Sequence, residues 1–266
     1  MTRIIHFSDI HFSKILFNPA QFFSKRWIGN ANLIFSRKRT LIQDHLAVLP
    51  EFFSSLSIDT VIFTGDASTT GSPKELEKAA QFFQKIKEKG IKVLTLPGNH
   101  DHYTKKDYEK QTFYQFFPPE KDQVFSLKKN CVETRSLSNH WQYIGLDTVR
   151  NTPFYSSQGI FSETIEENLK KLLKTLPNKP IFLANHFPFF PFDHPRNTLI
   201  RGDSLEKIIA LDPRIKVYAH GHTHRQCLAD LREDPLGIVL LDSGSIAHKE
   251  QGSFHLYELK DHILEV

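Results

Sequence analysis

Eight short apolar runs, at residues 3–8, 59–64, 91–96, 141–146, 180–185, 215–220, 237–242 and 254–259, constrain this chain more than any other feature. They are rich in Val, Ile, Leu, Phe and Tyr and nearly continuous, the pattern of strands buried on both faces. Stretches with helical spacing separate several of them. Residues 72–90, "SPKELEKAAQFFQKIKEKG", offer Ser72 as N-cap, Pro73 at the first helical position, Glu75 three residues past the cap and Gly90 as stop signal. Residues 162–176 repeat the pattern behind Ser162, and 201–212 form a shorter candidate. Residues 39–56 have the right periodicity too, with Pro50 expected to kink or split the helix. Strands alternating with helices imply an α/β sheet covered by helices, with a mixed or antiparallel later half where the helices thin out. No internal repeat or linker is visible, so the expectation is one domain over 1–266.

Composition excludes more than it selects. With 39% hydrophobic and 24% charged residues the chain reads as an ordinary folded protein, and a net charge of +4 supplies no duplex-sized basic track, so no nucleic-acid partner is expected. Two cysteines, Cys131 and Cys227, suggest no disulfide framework and a reducing compartment. Cys227, just after a His-rich turn, is expected to be a small buried residue rather than a ligand. The N-terminus "MTRIIHFSDIHF" lacks the apolar core of a signal peptide, and no run reaches the roughly eighteen apolar residues of a spanning helix. The expected location is cytoplasmic, with peripheral contact on the inner face of a membrane as an option; no protein partner is inferred.

The ends of the runs carry the chemistry. The first leads into Asp9-Ile10-His11, the second into Gly65-Asp66, the third into Gly98-Asn99-His100-Asp101, the fifth into His186, and the sixth into Gly221-His222-Thr223-His224. In an α/β sheet the carboxyl ends of parallel strands share one edge, where ligands bind. Five ends therefore deliver carboxylates, an amide and several imidazoles to one place. A lone His is usually an ordinary hydrogen-bonded residue, and His6, His45, His102, His140, His220, His248, His255 and His262 are read that way. The ordered set is different: mixed nitrogen and oxygen donors without thiolates suit manganese, iron or zinc. Two such ions about 3.5–4 Å apart can clamp a phosphoryl group and activate water.

This set, D-x-H, G-D, G-N-H-D, H and G-H-x-H, resembles the calcineurin-like metallophosphoesterase superfamily over residues 9 to 224. The resemblance implies a four-layer α-β-β-α sandwich with mixed sheets and a dinuclear site at the strand C-terminal edge. It places Asp9, His11, Asp66 and His224 on one metal. Asp66 would bridge to a second, completed by Asn99, His186 and His222. The cofactor is then two divalent ions, manganese first, with iron or zinc as the other candidates. His100 would stay off the metals and serve the substrate phosphate, and Asp101 is expected to orient it.

The substrate is less constrained. The second motif continues Ala67-Ser68-Thr69-Thr70-Gly71, without the Asp-Arg pair of the protein phosphatases, and looks more like the branch handling cyclic nucleotides and other small phosphodiesters. Three windows, 12–38, 103–125 and 187–192, hold more than half of the 23 phenylalanines, and all leave the sheet edge where the metals are expected. The first interleaves Lys and Arg with Phe and Trp, which suits a cap over an acylated, phosphorylated ligand or contact with membrane lipid. Arg26, Trp27, Phe189 and Arg196 are the substrate-contact candidates. That cap-like insertion is similar to the one in the UDP-2,3-diacylglucosamine hydrolases of lipid A synthesis, implying cleavage of a lipid-linked pyrophosphate to UMP and diacylglucosamine 1-phosphate. The alternative is a soluble cyclic-nucleotide or other small phosphodiesterase; a non-catalytic scaffold is the remote one.

Overall fold

A computed structural model describes residues 1–14, 43–120, 123–153, 155–191, 194–261 and 263–265. The chain opens with β1 (Thr2–Phe7), then a 3-10 turn at Asp44–Val48 leads into α1 (Leu49–Ser55). β2 (Thr60–Phe63), α2 (Pro73–Glu88) and β3 (Lys92–Thr95) come next, then three short helices, α3 (Lys105–Glu109), α4 (Phe113–Phe116) and α5 (Leu127–Asn130). The second half contains β4 (Val132–Ser136), β5 (Gln142–Leu146), β6 (Gly159–Ile160), α6 (Glu163–Thr175), β7 (Ile181–Ala184), β8 (Leu199–Ile200), α7 (Gly202–Leu211), β9 (Ile215–His220), β10 (Gln226–Leu231), β11 (Ile238–Ser243), β12 (His255–Lys260) and β13 (Ile263–Glu265). Every one of the eight apolar runs forms a strand.

One large sheet has the order β13-β12-β1-β2-β3 and a second β10-β11-β9-β7-β5-β4, while β6 and β8 pair in a small parallel sheet of their own. β1, β2 and β3 run parallel, as do β5, β7, β9 and β11, whereas β12, β4 and β10 pair antiparallel. Strand alternation divides the buried side chains into three layers. Ile5, Phe7, Val61 and Phe63 face Phe53 of α1 and Ala79, Phe82 and Phe83 of α2. Ile4, Ile62 and Tyr257 meet Phe182, Val217 and Leu241 between the sheets. Ile144, Ile181 and Leu183 pack on Leu169 of α6 and Ile208 of α7. Helix, sheet, sheet, helix is the sandwich the motifs imply, and each fully buried Leu, Ile or Phe in it contributes about 1.5–3 kcal/mol.

The helix boundaries reflect local chemistry. Ser72 accepts from the Glu75 backbone while Glu75 returns a bond to the cap, and Gly90 takes a left-handed φ of 80° just past the end of α2. Ser162 likewise caps α6. Pro50 does not kink a longer helix; it sits in the first turn of α1, where its missing N–H costs nothing, and the break comes before it. Cys227 is exposed on edge strand β10, not buried. No helix among the described residues is long and apolar enough to cross a membrane.

Candidate metal centre

The parallel strands end together, and the chain turns sharply at each end. Asp9 (φ 57°), His11 (50°), Asp66 (60°), His222 (71°) and His224 (57°) all occupy the left-handed region that non-glycine residues avoid. Backbone bonds pin them there. Asp9 N donates to the Gly65 carbonyl at 2.9 Å, His11 N to the Asp66 carbonyl at 3.0 Å and Phe12 N to the Ala67 carbonyl at 2.9 Å, which zips the first motif to the second. Gly65 must be glycine: its φ is 103°, and a Cβ there would lie 2.6 Å from Nδ1 of His186 and 2.8 Å from the Gly98 nitrogen.

The side chains converge. Nε2 of His11 lies 3.1 Å from Nε2 of His224, and Oδ1 of Asp9 is 3.0 Å from the latter and 3.4 Å from the former. Nε2 of His186 lies 3.1 Å from Oδ1 of Asn99 and 3.6 Å from Oδ2 of Asp66. Three donor groups, Asp9/His11/His224, His11/Asp66/His100 and Asp9/Asp66/His186, each keep their ligand atoms within 4.8 Å of one another. They share Asp9, His11 and Asp66, so the groups form one continuous cluster. His222 lies alongside, its ring 5.1 Å from that of His186 and its backbone N–H donating to Oδ2 of Asp9 at 3.1 Å.

Protonation states suit a cation. Nδ1 of His186 donates to the Thr64 carbonyl at 2.7 Å, so its Nε2 carries a lone pair that faces another lone-pair atom, Oδ1 of Asn99. Burial lowers the His186 pKa to about 4, and burial with the nearby His186 lowers that of His222 to about 3, so both rings are neutral at physiological pH. Nε2 of His222 donates to the Asn197 carbonyl at 3.0 Å, which leaves the ring's lone pair on Nδ1. Burial works against the Asp9 carboxylate, yet His224 and hydrogen bonds from His11 and His224 outweigh it and hold Asp9 well below the usual range. The lone pair of the neutral His186 ring facing the Asn99 oxygen, beside the ionised Asp9 carboxylate, fits divalent ions.

Not every expected residue does what its position suggests. Asp101, expected to orient His100, makes no hydrogen bond to it. Its wholly buried carboxylate accepts from Ala67 N (3.1 Å), Ser68 N (2.9 Å), Ser68 Oγ (2.8 Å) and Gly98 N (2.9 Å), which fills its acceptor sites with the loops carrying Asp66 and Asn99. Nδ1 of His100 donates instead to the Thr69 carbonyl at 2.6 Å, and the ring stacks on Tyr103 at 5.2 Å. Phe189 is 4% exposed and packs on Tyr218 in the core between the second sheet and its helices, a core position rather than an exposed one. Among the described residues of the aromatic windows, Phe113 stacks on Phe117 inside the sandwich edge, whereas Phe187 touches His222, 4.7 Å between rings. Arg196 is exposed, its guanidinium 5.5 Å over the Tyr155 ring, one residue from the Asn197 carbonyl that holds His222. Arg26, Trp27 and most of the 12–38 insertion lie outside the described residues. The residues sequence reasoning passes over are the carbonyl suppliers Thr64, Thr69 and Asn197, because a backbone acceptor leaves no mark on residue identity.

Comparison with known proteins agrees with this geometry. A relative, a 3',5'-cyclic-nucleotide phosphodiesterase of Nostoc sp. (strain PCC 7120), is 25% identical over 172 residues, 64% of this chain and 57% of its own length, so the chain spans little more than half of that protein. A dimetal phosphatase from Danio rerio superimposes with a TM-score of 0.61 at 11% identity, covering 98% of this chain and 93% of its own. The purple acid phosphatase PPD1 from yellow lupin seeds gives 0.52 at 13% identity, covering 99% and 47%. At these identities the structural likenesses speak to fold alone. The family model for calcineurin-like phosphoesterases matches residues 2–226, from β1 through the turn bearing His222 and His224, and the chain belongs to that family.

Proposed function

We propose that this chain is a dinuclear-metal phosphodiesterase acting on small phosphodiesters, cyclic nucleotides among them. The observation that carries the reading is the continuous cluster joined through Asp9, His11 and Asp66, with His100 within reach of the same atoms. Asp9, His11, Asp66 and His224 would hold one ion and Asp66, Asn99, His186 and His222 the other, manganese before iron or zinc. Bound there, such ions polarise a phosphoryl group and supply a nucleophile at neutral pH. The protein's own residues do the rest. The Thr69 carbonyl keeps the His100 proton on Nδ1, so Nε2 is the atom that exchanges protons with substrate. As the water oxygen bonds to phosphorus, the lone pair on Nε2 takes up the proton the water sheds and passes it to the departing oxygen as the ester P–O bond breaks. Arg196, exposed and one residue from Asn197, would meet a further anionic group.

The absent Asp-Arg pair and the Nostoc relative both support a small diester. A lipid-linked pyrophosphate such as UDP-2,3-diacylglucosamine, with contact to a membrane surface, is the second reading; what favours it is the basic, aromatic composition of 12–38, including Arg26 and Trp27. The test is turnover by manganese-loaded protein of 3',5'-cyclic AMP, bis(4-nitrophenyl) phosphate and, in detergent, UDP-2,3-diacylglucosamine. Hydrolysis of the first two, abolished in Asp66→Ala, is the expected result. UMP release as the fastest reaction would instead establish the lipid-linked substrate, and inactivity toward all three would sink the enzymatic reading.

A further inference from the structure

Glu75 lies in the first turn of α2 and is 1% exposed, with a carboxylate surrounded by donors. Oε2 accepts from Thr70 N and Thr70 Oγ1, both at 2.9 Å, and from Ser72 N at 3.3 Å; Oε1 accepts from Lys14 N at 3.1 Å. Only the Ser72 bond belongs to the helix cap. The other three leave the helix. They tie it to the loop after Asp66 and to the segment just past His11. That loop carries the Thr69 carbonyl, the acceptor for Nδ1 of His100, while Thr69 itself donates from N to the Phe12 carbonyl at 3.0 Å and from Oγ1 to the His11 carbonyl at 2.9 Å. An unbroken path therefore runs from Glu75 through Thr70 and Thr69 to the ring of His100.

We infer that Glu75 is a positioning residue for His100: by fixing the peptide that bears the Thr69 carbonyl, it sets which nitrogen of His100 is protonated and where the ring points. This deepens the phosphodiesterase reading and rests on the role given there to His100. The physical reason is that a backbone carbonyl has no rotamer of its own, so its aim is only as firm as the loop that carries it. Here a buried carboxylate makes the loop firm. In Glu75→Gln an amide NH2 replaces one of two oxygens, both of which face donors, so the bonds to Thr70 or to Lys14 are lost with little change in side-chain volume.

The experiment uses full-length, manganese-loaded protein and two esters: bis(4-nitrophenyl) phosphate, whose leaving group needs little protonation, and diphenyl phosphate, whose leaving group needs more. If Glu75 acts through His100, Glu75→Gln lowers kcat on diphenyl phosphate by about tenfold or more, with a several-fold smaller loss on the nitrophenyl ester, unchanged KM and unchanged metal content. The Glu75→Gln/His100→Gln double variant is then no slower than His100→Gln alone. Ser72→Ala, which weakens the cap without touching Thr70, leaves the leaving-group dependence as in wild type. In the zinc-loaded protein, the side-chain 15N resonances of His100 lose their Nδ1–H pattern in Glu75→Gln. Equal losses on both esters, multiplicative effects in the double variant or an unmoved His100 tautomer would each overturn the inference. A wild type that turns over neither ester defeats the phosphodiesterase reading instead, and the tautomer measurement still decides the role of Glu75.

Discussion

Replacing Asp101 by Asn separates two roles for this residue, because each predicts a different observable. The carboxylate accepts four bonds, two on each oxygen, from the backbone of Ala67, Ser68 and Gly98 and the Ser68 hydroxyl. Asparagine keeps one oxygen and presents an NH2 to the donors on the other side. If the NH2 faces Ser68, the hydroxyl can turn and accept, leaving one buried N–H without a partner; if it faces Ala67 and Gly98, two are left. Each such orphan costs about 1–3 kcal/mol, so the range is roughly 1–6 kcal/mol, with about 3 kcal/mol as the central value. At this size about 3 kcal/mol lowers the melting temperature by about 6–12 °C. The assay is thermal unfolding of metal-free protein in chelator, so that weakened metal binding does not enter. A melting temperature within about 2 °C of wild type, with turnover lost in the metal-loaded enzyme, would refute the loop-holding account and restore Asp101 as the partner of His100.

Other consequences are equally open to measurement. Burial, outweighing Arg135 at 2.9 Å, pushes the Glu133 pKa up to about 7 from an ordinary 4.5, so its contribution to stability is complete at acid pH and is lost as pH climbs from about 4.5 through 7. Denaturant titrations of Glu133→Gln should show a flatter pH dependence than wild type across that window, by up to about 3 kcal/mol; parallel curves would contradict the shift. Gly65→Ala puts a methyl group against Nδ1 of His186 and should reduce bound manganese by more than half, read by elemental analysis. Phe189→Ala should cost about 3–5 kcal/mol of stability and leave KM for a small diester unchanged; a raised KM at wild-type stability would return Phe189 to the substrate.

The sheets and the donor cluster are legible in the sequence for one reason: strands buried on both faces read as unbroken apolar runs, and the polar residues just past the parallel strands land at a shared edge. β4, "VETRS", escapes such a reading because it is mostly polar although Val132 and Glu133 are buried. β10 escapes it because this edge strand buries little: "QCLADL" is mostly exposed and carries no apolar signature. For the same reason Cys227 is expected inside and found outside. Asp101 misleads through its closeness in sequence to His100, when the nearest unmet demand is the amide groups of two tight loops. Phe189 misleads because a Phe-rich loop beside a motif looks alike whether its rings face a ligand or the core. The acceptors on His100, His186 and His222 are main-chain carbonyls of Thr69, Thr64 and Asn197, and any residue could have supplied them.

Left-handed backbone at Asp9, His11, Asp66, His222 and His224 bears on how such a centre tells one ion from another. Each of these conformations lies about 1–3 kcal/mol above the ordinary wells and survives only because neighbouring strands leave the chain nowhere else to go. Loops so confined do not open or tighten to accommodate an ion of a different radius. Discrimination then falls to the ion itself: one whose preferred distances match a spacing already set in the peptide chain is retained, and one that needs the chain to yield must give up a ligand.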